Sequence, residues 1–420
     1  MQNTAIEYIN SYSWLGSRPG LERIRDLMQR LDNPQDALQI IHLAGTNGKG
    51  STASFIASVL QTAGYKTGLY TSPFIHTLHE EIQVNGVAIS DDELEQVVAQ
   101  VKVPAAEMEN HPTTFELKTA IAFCHFYNAG CDVVVLETGM GGELDSTNVV
   151  KSPQLCVITP IDMDHMEYLG RTISIIAKAK AGIIKPGVPV ITASQHPDAM
   201  SVLETTATEQ NAELIKTKKF IPGSFSFEGQ QFSLGELHDL AIKHLGRYQM
   251  ENAAVAITAI YKLIDMGWGI HERHIRTGLA NACWPGRFEL IRKEPAIIVD
   301  GGHNAQGALA LTDNLKRYFP DKKIVFVMGI LADKDMHAIL APILPLAKQF
   351  FTITPDSPRA MPAAELAEYI NKQNIPAMSV SDMDAAFEKA AEIAGSDGVI
   401  CYFGSLYSLN AVFLALKKSP

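Results

Sequence analysis

The sequence predicts an α/β protein of two domains, each a mostly parallel sheet with helices packed around it. Three observations carry that expectation. Short apolar, β-branched runs alternate with longer amphipathic segments, as in a sheet joined by crossover helices. At 420 residues the chain exceeds what one hydrophobic core serves. A Pro-Gly break also separates two such alternating sets. The first set holds candidate strands LQIIHLA (38–44), KTGLY (66–70), CDVVVLE (131–137), LCVITP (155–160) and VPVITA (188–193). GSTASFIASVLQTAG (50–64) reads as the helix after the first strand, with Gly64 near its end. A polar, Gly-containing stretch near 218–240 predicts β-hairpins, and helical patterns cover 248–265 and 270–281. CWPGRFE (283–289) breaks the periodicity and is the predicted hinge, giving domains 1–285 and 286–420. Beyond it AIIVD (296–300), KIVFVMG (323–329), FFTIT (350–354) and GVICYFG (398–404) read as strands. Helices over 305–318, 361–372 and 383–393 fall among them.

Composition narrows the function. A net charge of −11 lacks the basic footprint of broad nucleic-acid binding, although one lysine and a loop of N–H groups can still hold a small anion. The five cysteines show no CxxC or paired spacing, which argues against a structural zinc site or disulfide framework. No run approaches the ~18 apolar residues of a membrane helix, and MQNTAIEYINSYSW lacks a signal-peptide pattern. The expectation is a cytoplasmic protein with neither nucleic-acid nor membrane partners.

Parallel sheets bind ligands beyond the carboxyl ends of their strands. Those ends read AGTNGKGS, YTSP, LETGMGG, TPIDMDH, VDGGHN and FGSLYS, rich in Gly, hydroxyl, acid and His. Each alone fits an ordinary turn; six together point to a shared ligand crevice. LAGTNGKGS (43–51) departs from the usual phosphate loop by a glycine between lysine and hydroxyl. It nonetheless stands between strand and helix, where backbone N–H groups face an anion. Lys49 would add charge, and Ser51 could join the coordination sphere of Mg²⁺. A Gly-rich turn with a solvated lysine is the plainer alternative. Glu137 and His165 also follow strands and are candidate metal ligands, against plainer readings as turn cap and core histidine.

AGTNGKGS, TSPFI, TTFE, LETGMGGELDSTNV, DHMEYLG, AKAGIIK, GRYQMENAAVA, WPGRFE, DGGHN, ADKD and GSLYS occur in this order. In that order and content the chain resembles folylpolyglutamate synthases and bifunctional dihydrofolate synthases of the Mur ligase superfamily, over essentially its whole length. The resemblance implies an N-terminal P-loop-type domain and a smaller, Rossmann-like C-terminal domain. It implies an ATP-dependent ligase that joins L-glutamate to a pteroate or folate carboxylate through an acyl phosphate. By the same resemblance Asn47, Gly48, Lys49, Gly50 and Ser51 would hold the ATP phosphates, and Ser72, Glu137 and His165 two Mg²⁺ ions. Lys180 would be a lysine open to carbamylation. Asn252, Arg287 and Asp300 would contact ATP, from both domains; His303, with Lys49 and Lys180 a catalytic candidate, and Ser405 would lie toward glutamate. The pterin side would comprise Arg18, Pro19, Gly20, Thr113, Thr114, Phe115, Glu116, Leu144, Asp145 and Ser146.

The chain departs from the family pattern at Glu81, where many relatives have arginine, and at Ala179 where many have glutamate. Smaller departures are Thr138 in ETG and Gly302 in DGGHN. Two alternatives stay open: a cell-wall Mur ligase, and a non-catalytic nucleotide-binding module. The 44 residues before Gly45 are short of the extra N-terminal domain usual in the former. Intact Lys49, Glu137, His165 and Lys180 weigh against the latter. Relatives act as monomers, which is the expectation here, and the acceptor is left open between dihydropteroate and reduced folates.

Overall fold

The computed structural model describes residues 4–418, which form two compact units. The first comprises the chain to Ile221 with Phe232–Ala241 and Glu251–Ala282; the second comprises Pro222–Gln231, Ile242–Met250 and the chain from Cys283.

In the first unit, α1 (Thr4–Asn10) and α2 (Glu22–Arg30) precede an eight-stranded sheet. Its strands are β1 (Ile40–Ala44), β2 (Thr67–Tyr70), β3 (Ile82–Val84), β4 (Val87–Ala88), β5 (Val133–Glu137), β6 (Leu155–Ile158), β7 (Val190–Thr192) and β8 (Leu214–Lys216). They lie in the order β4-β3-β2-β5-β1-β6-β7-β8, with β3 and β4 antiparallel at one edge and the rest parallel. Every residue of β1 and β5 is buried, which is why both read as apolar runs, interrupted in β1 by His42 and closed in β5 by Glu137: a parallel sheet is covered on both faces. The crossovers are α3 (Lys49–Thr62), α4 (Asp91–Ala106), α5 (Thr114–Asn128), α6 (Met166–Leu169), α7 (Ile173–Ala181) and α8 (Pro197–Glu209). The central order places β1 between β5 and β6, so the ends of all three strands converge at the loop after Ala44.

Strands β9 (Ile221–Ser226), β10 (Gly229–Leu234) and β11 (Leu237–Ile242) form a small separate sheet, followed by α9 (Arg247–Asp265) and α10 (Glu272–Asn281). Helix α10 approaches α3 closely at Gly278, where a Cβ would stand 2.5 Å from Val59 Cα. The Ser58 hydroxyl donates to Gly278 O at 2.7 Å in the same place.

The second unit carries a six-stranded sheet in the order β12-β13-β17-β14-β15-β16. Its strands are β12 (Glu289–Lys293), β13 (Ala296–Asp300), β14 (Ile324–Met328), β15 (Ala347–Thr352), β16 (Ala377–Ser379) and β17 (Val399–Phe403). All pair in parallel except β12, which is antiparallel to β13 at the edge. Around it run α11 (Ala305–Tyr318), α12 (Met336–Ile343), α13 (Ala363–Asn371), α14 (Met383–Ala394) and α15 (Leu409–Lys418). Its core is one apolar cluster that includes Phe288, Ile298, Leu311, Phe326, Phe350 and Phe403. Strand β12 begins inside the segment read from sequence as a hinge. Its ELIRK sequence is only half-buried and carries no apolar run to announce it.

Candidate active site

The loop after β1 is built by glycine. Gly45 has φ +152° and lies where a Cβ would overlap the Thr159 side chain; Gly48 has φ +84° and lies where one would overlap Asn252 Oδ1. The Thr46 and Asn47 N–H groups donate to Pro160 O at 2.9 and 3.3 Å, pinning the loop to the end of β6. Helix α3 begins at Lys49 with Gly48 as its N-cap and no side-chain cap, so its first N–H groups are left for another acceptor. The extra glycine, Gly50, lies within the first helical turn and leaves the helix unbroken. Gly48→Ala combines a left-handed φ with a clash, so it is expected to lower unfolding free energy by about 2 kcal/mol. Urea denaturation checks this. In the Asn252→Ala background the penalty should shrink to that of the strained φ alone, and an undiminished penalty would discount the clash.

Lys49, Ser72, Glu137 and Lys180 converge on this loop. Lys49 Nζ is 3.7 Å from Glu137 Oε1, and the Ser72 N–H donates to Glu137 Oε2 at 3.3 Å. Glu137 ends β5 opposite Leu43 of β1, which sets its carboxylate at the mouth of the loop. The Lys180 ammonium, buried on α7, donates to Gly45 O at 2.7 Å. Burial, reinforced by the charge of Lys49 and opposed by Asp164 and Asp145, lowers its pKa to about 7. His165 has a left-handed backbone (φ 49°) at the start of α6, with Nε2 4.0 Å from Asp164 Oδ2. Among the described residues no group of three His, Cys, Asp or Glu side chains is placed to hold a metal.

The three segments predicted for the pterin side meet. Gly20 N–H donates to Leu144 O at 3.4 Å, and Arg23 ties the first segment to the one at 113–116, its Nε donating to Glu116 Oε2 at 3.0 Å and its Nη2 to Arg18 O. Sequence reasoning missed Arg23. It also missed a second office of TTFE: Thr113 and Glu116 form a capping box that starts α5, a T-x-x-E signal legible without a structure. Asp145 is buried and bonded within its own loop, and Leu144 is 53% exposed beside it. Glu81 finds a partner: its buried carboxylate lies 2.6 Å from Lys118 Nζ on α5. Burial raises its pKa and the lysine opposes that.

In the second unit, Asp300 ends β13 and accepts from Gly302 N–H at 2.7 Å and Phe288 N–H at 3.2 Å. Burial raises its pKa, and Arg287 is the first influence opposing that. His303 Nδ1 is 3.2 Å from Gly301 O, a contact that makes Nδ1 the protonated nitrogen. Gly404 N–H donates to Gly302 O at 3.0 Å, which joins the His303 loop to the buried Ser405, itself capping a short turn through Tyr407 N–H.

Two family models match the chain. The Mur ligase middle domain matches residues 43–260, and the Mur ligase glutamate ligase domain matches 286–406. A dihydrofolate synthase/folylpolyglutamate synthase of Bacillus subtilis is 37% identical over 98% of this chain and 99% of its own. A folylpolyglutamate synthase of Lacticaseibacillus casei is 37% identical over 86% and 87% respectively. The Mycobacterium tuberculosis folylpolyglutamate synthase solved with ADP and AMPPCP superposes with a TM-score of 0.90 at 30% identity, covering 99% of this chain and 100% of that one. An Escherichia coli relative solved with DHPP and ADP gives 0.88 at 29%, covering 98% and 97%.

Proposed function

Because the chain belongs to the Mur ligase family, in its folylpolyglutamate and dihydrofolate synthase branch, we propose that it joins L-glutamate to the carboxylate of dihydropteroate or a reduced folate at the expense of ATP. The observation that carries this is the glycine-built loop at the N-terminus of α3, with Lys49 facing Glu137. An acceptor carboxylate oxygen attacks the γ-phosphorus, ADP leaves, and the resulting acyl phosphate has an electrophilic carbon and a good leaving group. The amine of glutamate then attacks that carbon, its proton departs, and the C–O bond to phosphate breaks. In such transfers the protein works by positioning and by neutralising charge.

Asn47 to Ser51 are assigned to the ATP phosphates, with Lys49 against the charge of the transferred group and Asn252 packed on Gly48. The hard oxygen donors of Ser72 and Glu137 suit Mg²⁺, which keeps several waters and phosphate oxygens and needs few protein ligands. His165 is the third ligand proposed, for a second ion; bound there, the ions would screen the β- and γ-phosphates. Lys180 is assigned a carbamate, since an amine with pKa about 7 is substantially neutral where CO₂ can add. Arg287 and Asp300 are assigned to ATP, and Ser405 to glutamate. His303, protonated on Nδ1, is assigned Nε2 as the acceptor of the amine proton. Arg18 to Gly20, Thr113 to Glu116 and Leu144 to Ser146 are assigned to the pterin. The proposed setting is a cytoplasmic monomer; no described helix is long and apolar enough to cross a membrane.

Phosphate release with purified protein, ATP and glutamate tests the reading, run separately with dihydropteroate, a reduced folate and a muramyl precursor. Release with at least one pterin and none with the muramyl compound is expected. Release with the muramyl compound alone would overturn the proposal.

A further inference from the structure

Behind the proposed pterin wall, Asp145 heads a buried polar chain whose other members, Thr147 and His42, the mechanism leaves unused. Asp145 accepts at Oδ2 from Met140 N–H at 2.8 Å, and at Oδ1 from Thr147 N–H at 3.0 Å and the Thr147 hydroxyl at 2.6 Å. Gly139 N–H adds a further bond. Burial raises the carboxyl pKa and the donors oppose that; the geometry, with donors on both oxygens, fits the carboxylate form. The single hydroxyl proton of Thr147 therefore points to Asp145. Its oxygen is then an acceptor for His42 Nε2, 2.8 Å away, which makes His42 the Nε2–H tautomer.

That histidine is an odd choice for its position. It stands mid-way along β1, on the strand face shared by Ile40 and Ala44, which belong to two apolar clusters. It is fully buried, and Nδ1 has no hydrogen-bond partner among the described residues. A branched aliphatic residue would leave no buried polar atom unpaired there. Burial, with the charge of Lys185, lowers the pKa of the ring to about 3, so it stays a neutral, single-tautomer donor at working pH.

We infer that His42 and Thr147 are positioning residues for acceptor binding: His42 orients the Thr147 hydroxyl, which fixes Asp145 and with it the 139–146 loop that carries Leu144 to Ser146. This rests on the pterin reading of that loop. The hydrogen bonds of the chain reach neither the phosphate loop nor Lys49, so its loss should act more on the acceptor than on ATP.

The test compares wild type, Thr147→Val and Thr147→Ser as full chains by initial rates at varied dihydropteroate and ATP. Thr147→Val should raise the KM for dihydropteroate about tenfold, with the KM for ATP within about twofold. Thr147→Ser, which keeps the hydroxyl, should return to within about twofold of wild type. An unchanged pterin KM in Thr147→Val, or equal rises for pterin and ATP, would overturn the inference. A second readout needs no activity: ¹⁵N-histidine spectra of wild type, with His42 assigned by its loss in His42→Gln, should show protonated Nε2 and bare Nδ1. The reverse tautomer would overturn the chain even if the ligase activity is present. If wild type releases no phosphate with any pterin, the functional reading fails, and the spectrum still decides the tautomer.

Discussion

Lys49→Ala should lower kcat/KM for ATP by about 10³-fold, the scale for removing a preorganised charge from a phosphoryl-transfer site. The substitution deletes the positive charge nearest Glu137 in the loop and leaves α3 intact, since Lys49 is its first residue and alanine is a good helix former. The ion pair is long, at 3.7 Å, and lysine is partly exposed, so the folding penalty should be about 1 kcal/mol. Melting curves alongside steady-state rates separate the two effects. A variant retaining a tenth of wild-type kcat/KM would remove Lys49 from the phosphate site.

The second large effect concerns Lys180. Lys180→Met keeps the length of the side chain and removes the amine, and should cost about 10²-fold in kcat. Wild type depleted of CO₂ should lose activity and regain it with bicarbonate, whereas Lys180→Met should ignore bicarbonate. The pH dependence has a definite sign. The pKa is lowered from 10.5 to about 7, so the amine is neutral above about 7 and protonated below, and bicarbonate activation should fade as pH drops through that value. Between about 7 and about 10 the unfolded chain holds a proton that the CO₂-depleted folded chain has released, so this group makes stability rise with pH. Lys180→Met should flatten that rise. Bicarbonate-independent wild-type activity would refute the carbamate.

The fold was legible where residues faced apolar surroundings on every side. β1 and β5 announce themselves because a doubly covered strand is mostly apolar, His42 and the terminal Glu137 being the exceptions. β12 and β16 escape because edge strands are half solvated and look like loops. α4 and α5 also went unread, although each opens with a capping box, S-x-x-E and T-x-x-E. Within the site, the strand-end residues could be singled out by position and chemistry. Their supports could not: Arg23, Lys118 and Thr147 act through partners between 37 and 105 positions away, separations at which local pattern carries no information. Glu81 shows the same limit. Read along the chain it is a reversed charge; in space it is one half of an ion pair.

Glu116 serves two masters, the N–H of Thr113 at the head of α5 and the guanidinium of Arg23 that reaches back to Arg18. On the proposed pterin assignment, acceptor preference therefore cannot drift freely at this position, in nature or in a redesign. A substitution that removes the side-chain acceptor weakens a helix end and loosens a neighbouring segment at once, so a gain in selectivity would arrive already burdened by poorer folding. Diversification is cheaper at Leu144, whose side chain is half in solvent and has no such dual duty. A library aimed at new acceptors should vary Leu144 and hold Glu116 and Arg23 constant.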